Sequence, residues 1–181
     1  LNKIITKVEM NLMNFIFKRA SVREFSDKEL NISKVENLIK AGMQAPSACN
    51  SQPWEFLIVV DEDDKKAVSE MSPYAKPAAK AQKLIITMAN SDKFKKTKTD
   101  KWFPQDLSAC TENILLQATI EGIGSVWLGF YPSEERVKKL KEYFGIPENV
   151  IPFSVIALGY PKEKPVPRKN FKAEKIHVGR Y

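Results

Sequence analysis

Three apolar runs constrain this chain most. Glu55 to Val60 (Glu-Phe-Leu-Ile-Val-Val), Lys83 to Ala89 (Lys-Leu-Ile-Ile-Thr-Met-Ala) and Ile151 to Leu158 (Ile-Pro-Phe-Ser-Val-Ile-Ala-Leu) are nearly continuous in apolar, often β-branched residues. Such runs read as strands buried on both faces. Gly122 to Gly129 adds a short strand entered from a helix stop. Helical periodicity fills the intervals. Met10 to Lys18 spaces Leu12, Met13, Ile16 and Phe17 along one face. Ser33 and Glu36 form an S-x-x-E capping box ahead of Val35, Leu38 and Ile39, and Pro46 closes that region by lacking a donor. Asp61 to Met71 opens with acids, as a helix N-terminus favours. The longest helix runs from Pro104 or Gln105 to Glu121, with Leu107, Cys110, Ile114, Leu115 and Ala118 facing the core. Ser133 to Phe144 is a further helix, closed by Gly145 and Pro147. Asn90 to Phe103 reads as a charged loop. Strands are too few for a full doubly wound sheet, so the pattern points to a mixed α and β domain with helices dominant.

A chain of 181 residues suits one domain with a real core. Residues 1–11 read as a poorly ordered extension, and 161–181 as an extended arm. The arm is rich in Pro and Lys and too poor in apolar residues for its own core. It is therefore expected to lie over the body or over another subunit.

The net charge of +7 admits nucleic acid or a small anionic ligand as partner. Much of the excess falls between Lys93 and Lys101 and between Lys162 and Lys175, as solvated loop and tail charges. The aromatic-interleaved pattern of an RNA-binding sheet is missing, which favours the small anion and no nucleic acid. No run approaches the ~20 apolar residues of a spanning helix, so no membrane association is expected. Glu9 and several Asn interrupt the start, and no small-residue cleavage site follows. A cytoplasmic location is the expectation. Cys49 and Cys110 lie far apart with no metal-binding spacing, and read as free thiols. Cys49 reads as a small filler within a turn, with a redox-sensitive thiol as the alternative. No metal site is expected.

Two segments carry the chemistry. Arg19-Ala20-Ser21-Val22-Arg23 places two guanidinium groups and a hydroxyl within five residues. Alternate residues of an extended segment share a face, so all three side chains can meet one phosphate. Taken alone, so short a pattern reads as a solvated basic loop. Pro46 to Trp54 is a polar turn between prolines, in which Ser47, Asn50 and Gln52 can offer hydrogen bonds to a flat heterocycle. An ordinary helix-to-strand connection is the even alternative. Gly122-x-Gly124-x-x-Trp127 is not a dinucleotide fingerprint, because the third Gly is replaced and the segment follows a helix. It reads as a capped helix end whose strand brings backbone close to something flat, Gly129 permitting the approach. Trp102 and Phe103 can wall a pocket or anchor the core. His177, alone in the arm, reads as a surface or interface residue, which leaves no catalytic triad.

The order of these segments resembles one family. Arg-x-Ser-x-Arg-x-Phe, a capped helix, Ala-Pro-Ser-Ala-x-Asn-x-Gln-Pro-Trp, a buried strand, a long helix, Gly-x-Gly-Ser-x-Trp-x-Gly and Ala-Leu-Gly-Tyr-Pro with a basic tail resemble the short form of the FMN-dependent nitroreductases. The likeness covers about residues 12 to 178. It implies an α+β fold: a central, mostly antiparallel sheet flanked by helices, built as an intertwined homodimer whose C-terminal segment crosses to the partner. It implies two FMN molecules at the subunit interface. Arg19, Ser21 and Arg23 would hold the phosphate and ribityl chain, and Arg168 or Lys169 would close on the phosphate. Pro46, Ser47 and Ala48 would lie along the isoalloxazine, with Gln52 in the same turn and Asn50 approaching from the partner subunit. Trp127, Leu128 and Gly129 would offer backbone near the reactive edge. Longer members carry an Asn and a Lys after the first strand. Here Ser72 to Lys80 lacks a clear equivalent, and Lys76 or Lys80 is the substitute.

The resemblance also implies a ping-pong cycle, in which NAD(P)H delivers hydride to the flavin and leaves, and a nitroaromatic, quinone or related small acceptor then takes its place. No side chain need act as a covalent or acid–base catalyst. A flavin-binding sensor without turnover, and a relative that performs dehalogenation or enone reduction, are the alternatives.

Overall fold

The computed structural model describes residues 15–181. Leu12, Met13 and the extension 1–11 lie outside the described residues. In chain order the elements are α1 (Phe15–Lys18), α2 (Ile32–Gly42), β1 (Trp54–Val59), α3 (Glu62–Glu70), β2 (Lys83–Asn90), α4 (Ser91–Thr97), α5 (Phe103–Ile120), β3 (Gly124–Gly129), α6 (Glu134–Phe144) and β4 (Val150–Gly159). Short 3-10 turns span Ala48–Asn50, Lys76–Lys80 and Ala173–Lys175.

The strands form one four-stranded sheet in the order β1-β2-β4-β3, every pairing antiparallel. The three apolar runs are β1, β2 and β4, and the two longest sit in the middle, where both faces are covered. Alternation along β2 shows this directly. Leu84, Ile86 and Met88 join Val68, Leu140 and Val155 on one side, under α3 and α6. Ile85 faces the other way, with Leu38, Ile114, Leu115 and Ile156 under α2 and α5. Side chains of successive strand residues point to opposite faces, so a run without polar alternation is what two apolar layers demand. Pro152 is tolerated in β4 because the register slips there: Thr87 opposes Ser154 and Met88 opposes Pro152, so Phe153 is bulged.

Three local expectations are corrected. The α2 cap is Asn31, whose side chain accepts from the Ser33 N–H at 3.0 Å. The Ser33–Glu36 capping box gives way because Asn31 already caps the helix two residues earlier, which leaves Ser33 inside the first turn with its hydroxyl donating to Asn31 Oδ1 at 3.1 Å. The stretch Asn90 to Phe103 is not wholly a loop. Asn90 caps α4 by accepting from the Asp92 N–H, Lys98 ends it at φ 56°, and Phe94 anchors it in the core. One buried Phe among lysines gave no periodic signal. Cys49, finally, is exposed with φ 51°, so it fills no core space, whereas Cys110 is fully buried.

Candidate functional site

Residues 19–26 lie along the sheet edge that β3 presents. The Val22 N–H donates to the Ser125 carbonyl at 2.9 Å, and Ser21 bridges Ser125 in parallel sense. Farther on, Phe25 bridges Pro161, and the Ser26 N–H donates to the Tyr160 carbonyl at 2.8 Å. Two glycines permit this approach. A Cβ on Gly124 would stand 2.8 Å from Val22 Cγ1, and one on Gly159 would stand 2.8 Å from Phe25 Cδ1. The Arg-x-Ser-x-Arg segment is thus pinned at its apolar residues, which leaves Ser21 and Arg23 exposed. Arg19 is held differently: its Nε lies 3.5 Å from Glu112 on α5. Burial pushes the Glu112 carboxyl above its ordinary value, and Arg19 pulls it part of the way back.

Two clefts of about 430 Å³ each meet at Arg23 and Glu24. That volume falls within the ~300–1,000 Å³ typical of small-molecule sites. The first cleft lies between β3 and the 72–80 segment and is lined by Arg23, Tyr74, Lys76, Lys80 and the backbone run from Val126 to Gly129, among others. The second runs between Ser21 to Glu24 and the root of the arm, at Lys162, Glu163, Pro165 and Val166.

Backbone groups of an edge strand alternate between its partner and the open side. The Ser125 carbonyl takes the Val22 N–H, and the Gly129 carbonyl takes Arg136 Nη1 at 3.2 Å. These two mark the outward set, and Trp127 falls between them. The strand therefore turns the polar backbone of Trp127 and Gly129 toward the first cleft, while Leu128 packs into the core. Arg136 also lies over the Tyr74 ring, 5.4 Å from its centroid, and so ties the 72–80 wall to the end of β3. Lys80 pairs with Glu24 at 2.7 Å across the cleft, but both side chains are largely exposed and the pair contributes little stability.

The turn after α2 is built separately. Cys49, Asn50 and Gln52 all have positive φ, near 50°. For non-glycine residues each costs on the order of 1–2 kcal/mol. The turn persists because its hydrogen bonds fix it. The Gln52 N–H donates to Ser47 Oγ at 3.0 Å, and the Ala48 N–H donates to Asp106 Oδ1 at 3.0 Å. Pro46, Asn50 and Gln52 are left exposed, and Ser47 and Ala48 half-buried.

The chain thus brings Arg23 together with Trp127, Leu128 and Gly129 in one cleft, and Ser21 together with Arg23 in the other. Residues 46–52, Arg168 and Lys169 line neither. Arg168 and Lys169 are exposed on the arm. Trp102 is 52% exposed, but Phe103 is buried and stacks on Phe94 with ring centroids 5.1 Å apart, so these neighbours part company. His177 is exposed near Tyr181. The sequence reading named Lys76 and Lys80 but missed Tyr74, Arg136, Glu112 and Asp106. None belongs to a motif, and each acts through a neighbour remote in sequence.

The Nitroreductase family model matches residues 16–89 and 69–160, which together span most of the chain. A protein of Archaeoglobus fulgidus, provisionally named an NADH dehydrogenase/NAD(P)H nitroreductase, is 47% identical over 152 residues, 84% of this chain and 86% of its own. A solved structure of a similarly named protein from Parabacteroides distasonis superposes with a TM-score of 0.88 at 32% identity, covering 94% of this chain and 99% of that one. The FMN-dependent nitroreductase of Clostridium difficile superposes with a TM-score of 0.83 at 25% identity, covering 93% of this chain and 99% of that one. With the antiparallel sheet, its flanking helices and the cleft along β3, these matches place the chain in the nitroreductase family.

Proposed function

We propose that this protein is an NAD(P)H-dependent oxidoreductase that works with bound FMN, as a homodimer, and reduces nitroaromatics, quinones or related small acceptors. The observation that carries the reading is a site divided in two. One cleft offers cations and outward backbone at β3, and the strained polar turn stands apart from it in the same chain. A second copy supplying its 46–52 turn would complete the first cleft. The printed names of the relatives, which include an FMN reductase [NAD(P)H] of Bacillus subtilis, agree with the chemistry.

The residues fit such a cofactor. A phosphate ester needs guanidinium forks and a hydroxyl, and Ser21 and Arg23 are exposed and free of carboxylate partners among the described residues. Arg19 joins them by leaving or sharing Glu112. Arg168 or Lys169, delivered by the arm, closes on the same anion. A ring system needs donors and acceptors in a plane, which the Trp127 and Gly129 backbone supplies on one side and Ser47 and Asn50 on the other. Lys76 or Lys80 puts positive charge where an anionic reduced ring is stabilised. When bound, FMN supplies the exchange of hydride between nicotinamide and acceptor. The protein's own tasks are to orient, to balance charge and to exclude water, with Tyr74 and the proline-rich 72–80 segment as one wall.

The test is anaerobic. Purified protein reconstituted with FMN is mixed with NADH or NADPH while the flavin absorbance is followed, and an acceptor panel then reoxidises it. Bleaching by at least one nicotinamide and recovery with a nitroaromatic or quinone are expected. Protein that stays colourless in excess FMN would overturn the reading.

A further inference from the structure

We propose that Asp106 is a positioning residue: from the first turn of α5 it holds the 46–52 turn in its left-handed shape, and through it the groups that turn offers to a ligand. The ligand part of this rests on the function proposed above. Asp106 is only 5% exposed. Its Oδ1 accepts the Ala48 N–H at 3.0 Å, and it is the one side chain from outside residues 46–52 that hydrogen-bonds this turn among the described residues. Its Oδ2 is buried without a partner, as is Ser51 Oγ in the turn itself. A carboxylate buried with one oxygen unsatisfied is a poor device for stability alone, because an apolar side chain would fill the space more cheaply. Its value lies in the bond it makes. A charged acceptor grips an amide harder than a neutral one, and that amide opens a stretch containing three residues in the left-handed region: Cys49, Asn50 and Gln52. The bonds within the turn, Asn50 N–H to Ser47 carbonyl and Ser51 N–H to Ala48 carbonyl, tie it only to itself. The turn's far end is anchored next door, where the Pro53 carbonyl accepts the Asn90 N–H at 2.7 Å, and Asp106 is the side chain that ties its near end to the body. The position also suits the acid, since the N-terminal turn of a helix favours negative charge.

The assignment separates geometry from packing. Asp106→Asn keeps an oxygen in place for the Ala48 N–H, and Asp106→Ala removes it. Apo and FMN-loaded wild type and both variants are compared by amide hydrogen exchange and FMN titration. In the apo protein Asp106→Ala should speed exchange at Ala48 to Gln52 at least about tenfold, the loss of one charge-assisted bond, while β2 amides stay unchanged. Asp106→Asn should restore most of that protection. FMN affinity should fall about tenfold in Asp106→Ala and stay within about threefold of wild type in Asp106→Asn. If Asp106→Ala does not fold, Asp106→Ser takes its place in the same comparison. Wild-type exchange at 48–52 in the Ala or Ser variant would overturn the proposal. So would a loosened turn with unaltered FMN affinity. Failure of wild type to bind FMN would instead sink the proposed function, and the exchange result in apo protein would still decide the role of Asp106.

Discussion

Glu112 and Arg19 show how one carboxylate can set the state of an arginine that we propose meets the phosphate. Burial raises the Glu112 carboxyl above its ordinary 4.5, and the nearby Arg19 only partly offsets this. The folded protein therefore holds this proton more tightly than the unfolded chain does. Stability linked to Glu112 is gained as pH falls through the raised value and is lacking above it. Glu112→Gln should flatten that part of the profile, read as chemical denaturation midpoints from about pH 4 to 7. The same substitution frees Arg19, and FMN affinity should rise by up to about fivefold, the worth of a half-exposed ion pair. The thiols make a second residue-scale case. Burial pushes Cys110 up to about 12, which leaves it protonated and out of reach. In a Cys49→Ser background the native protein should take up no thiol reagent at pH 8 and one equivalent in denaturant. Uptake by the folded variant would contradict the packing described.

Among the elements, the edge formed by β3 and residues 19–26 is the most exacting. A methyl at Gly124 meets Val22, and one at Gly159 meets Phe25, each at 2.8 Å. Gly124→Ala or Gly159→Ala should cost about 1–3 kcal/mol, as overpacking does, and should weaken FMN binding because Arg23 shifts with the segment. Thermal melts and flavin titration measure the two effects. What could be read from the sequence follows the same physics. β1, β2 and β4 were legible because their runs are nearly continuous in apolar residues, which β2 and β4 owe to burial on both faces, whereas β1, expected to be buried, is an edge strand that is mostly half-buried. α5 was legible because its apolar positions recur at helical spacing. The Arg-x-Ser-x-Arg and Gly-x-Gly segments were legible as motifs, and Arg23 and Gly129 do line one cleft. α4 was hidden because a single Phe94 and an Asn90 cap sustain it amid lysines. Asp106 was hidden because an acid in the first turn of a helix is ordinary, and only the fold shows Ala48 above it. The left-handed backbone of Cys49, Asn50 and Gln52 carried no glycine to announce it.

At the scale of the molecule, the arm beyond Pro161 dominates. Val166, Phe171, Ile176 and Val178 are 61% exposed or more, a set of apolar side chains that a lone subunit leaves in water. On the proposed homodimer, a chain ending at Lys162 should sediment as a monomer while the full chain sediments as a dimer, and it should lose FMN because it lacks Arg168 and Lys169, which we propose close on the phosphate. Analytical ultracentrifugation and flavin content report the two results, and a truncated dimer with full flavin would refute the arm's role. Among the described residues no helix is long and apolar enough to cross a membrane. The bridges from Ser21 to Ser125 and from Phe25 to Pro161 also bear on biosynthesis. The early arginines emerge from the ribosome first, yet their docking strand and the residue that pins Phe25 are made more than a hundred residues later. A nascent chain thus carries this segment unmoored until Ser125 and Pro161 have been made, so the proposed phosphate grip can form only after β3 and β4 are synthesised.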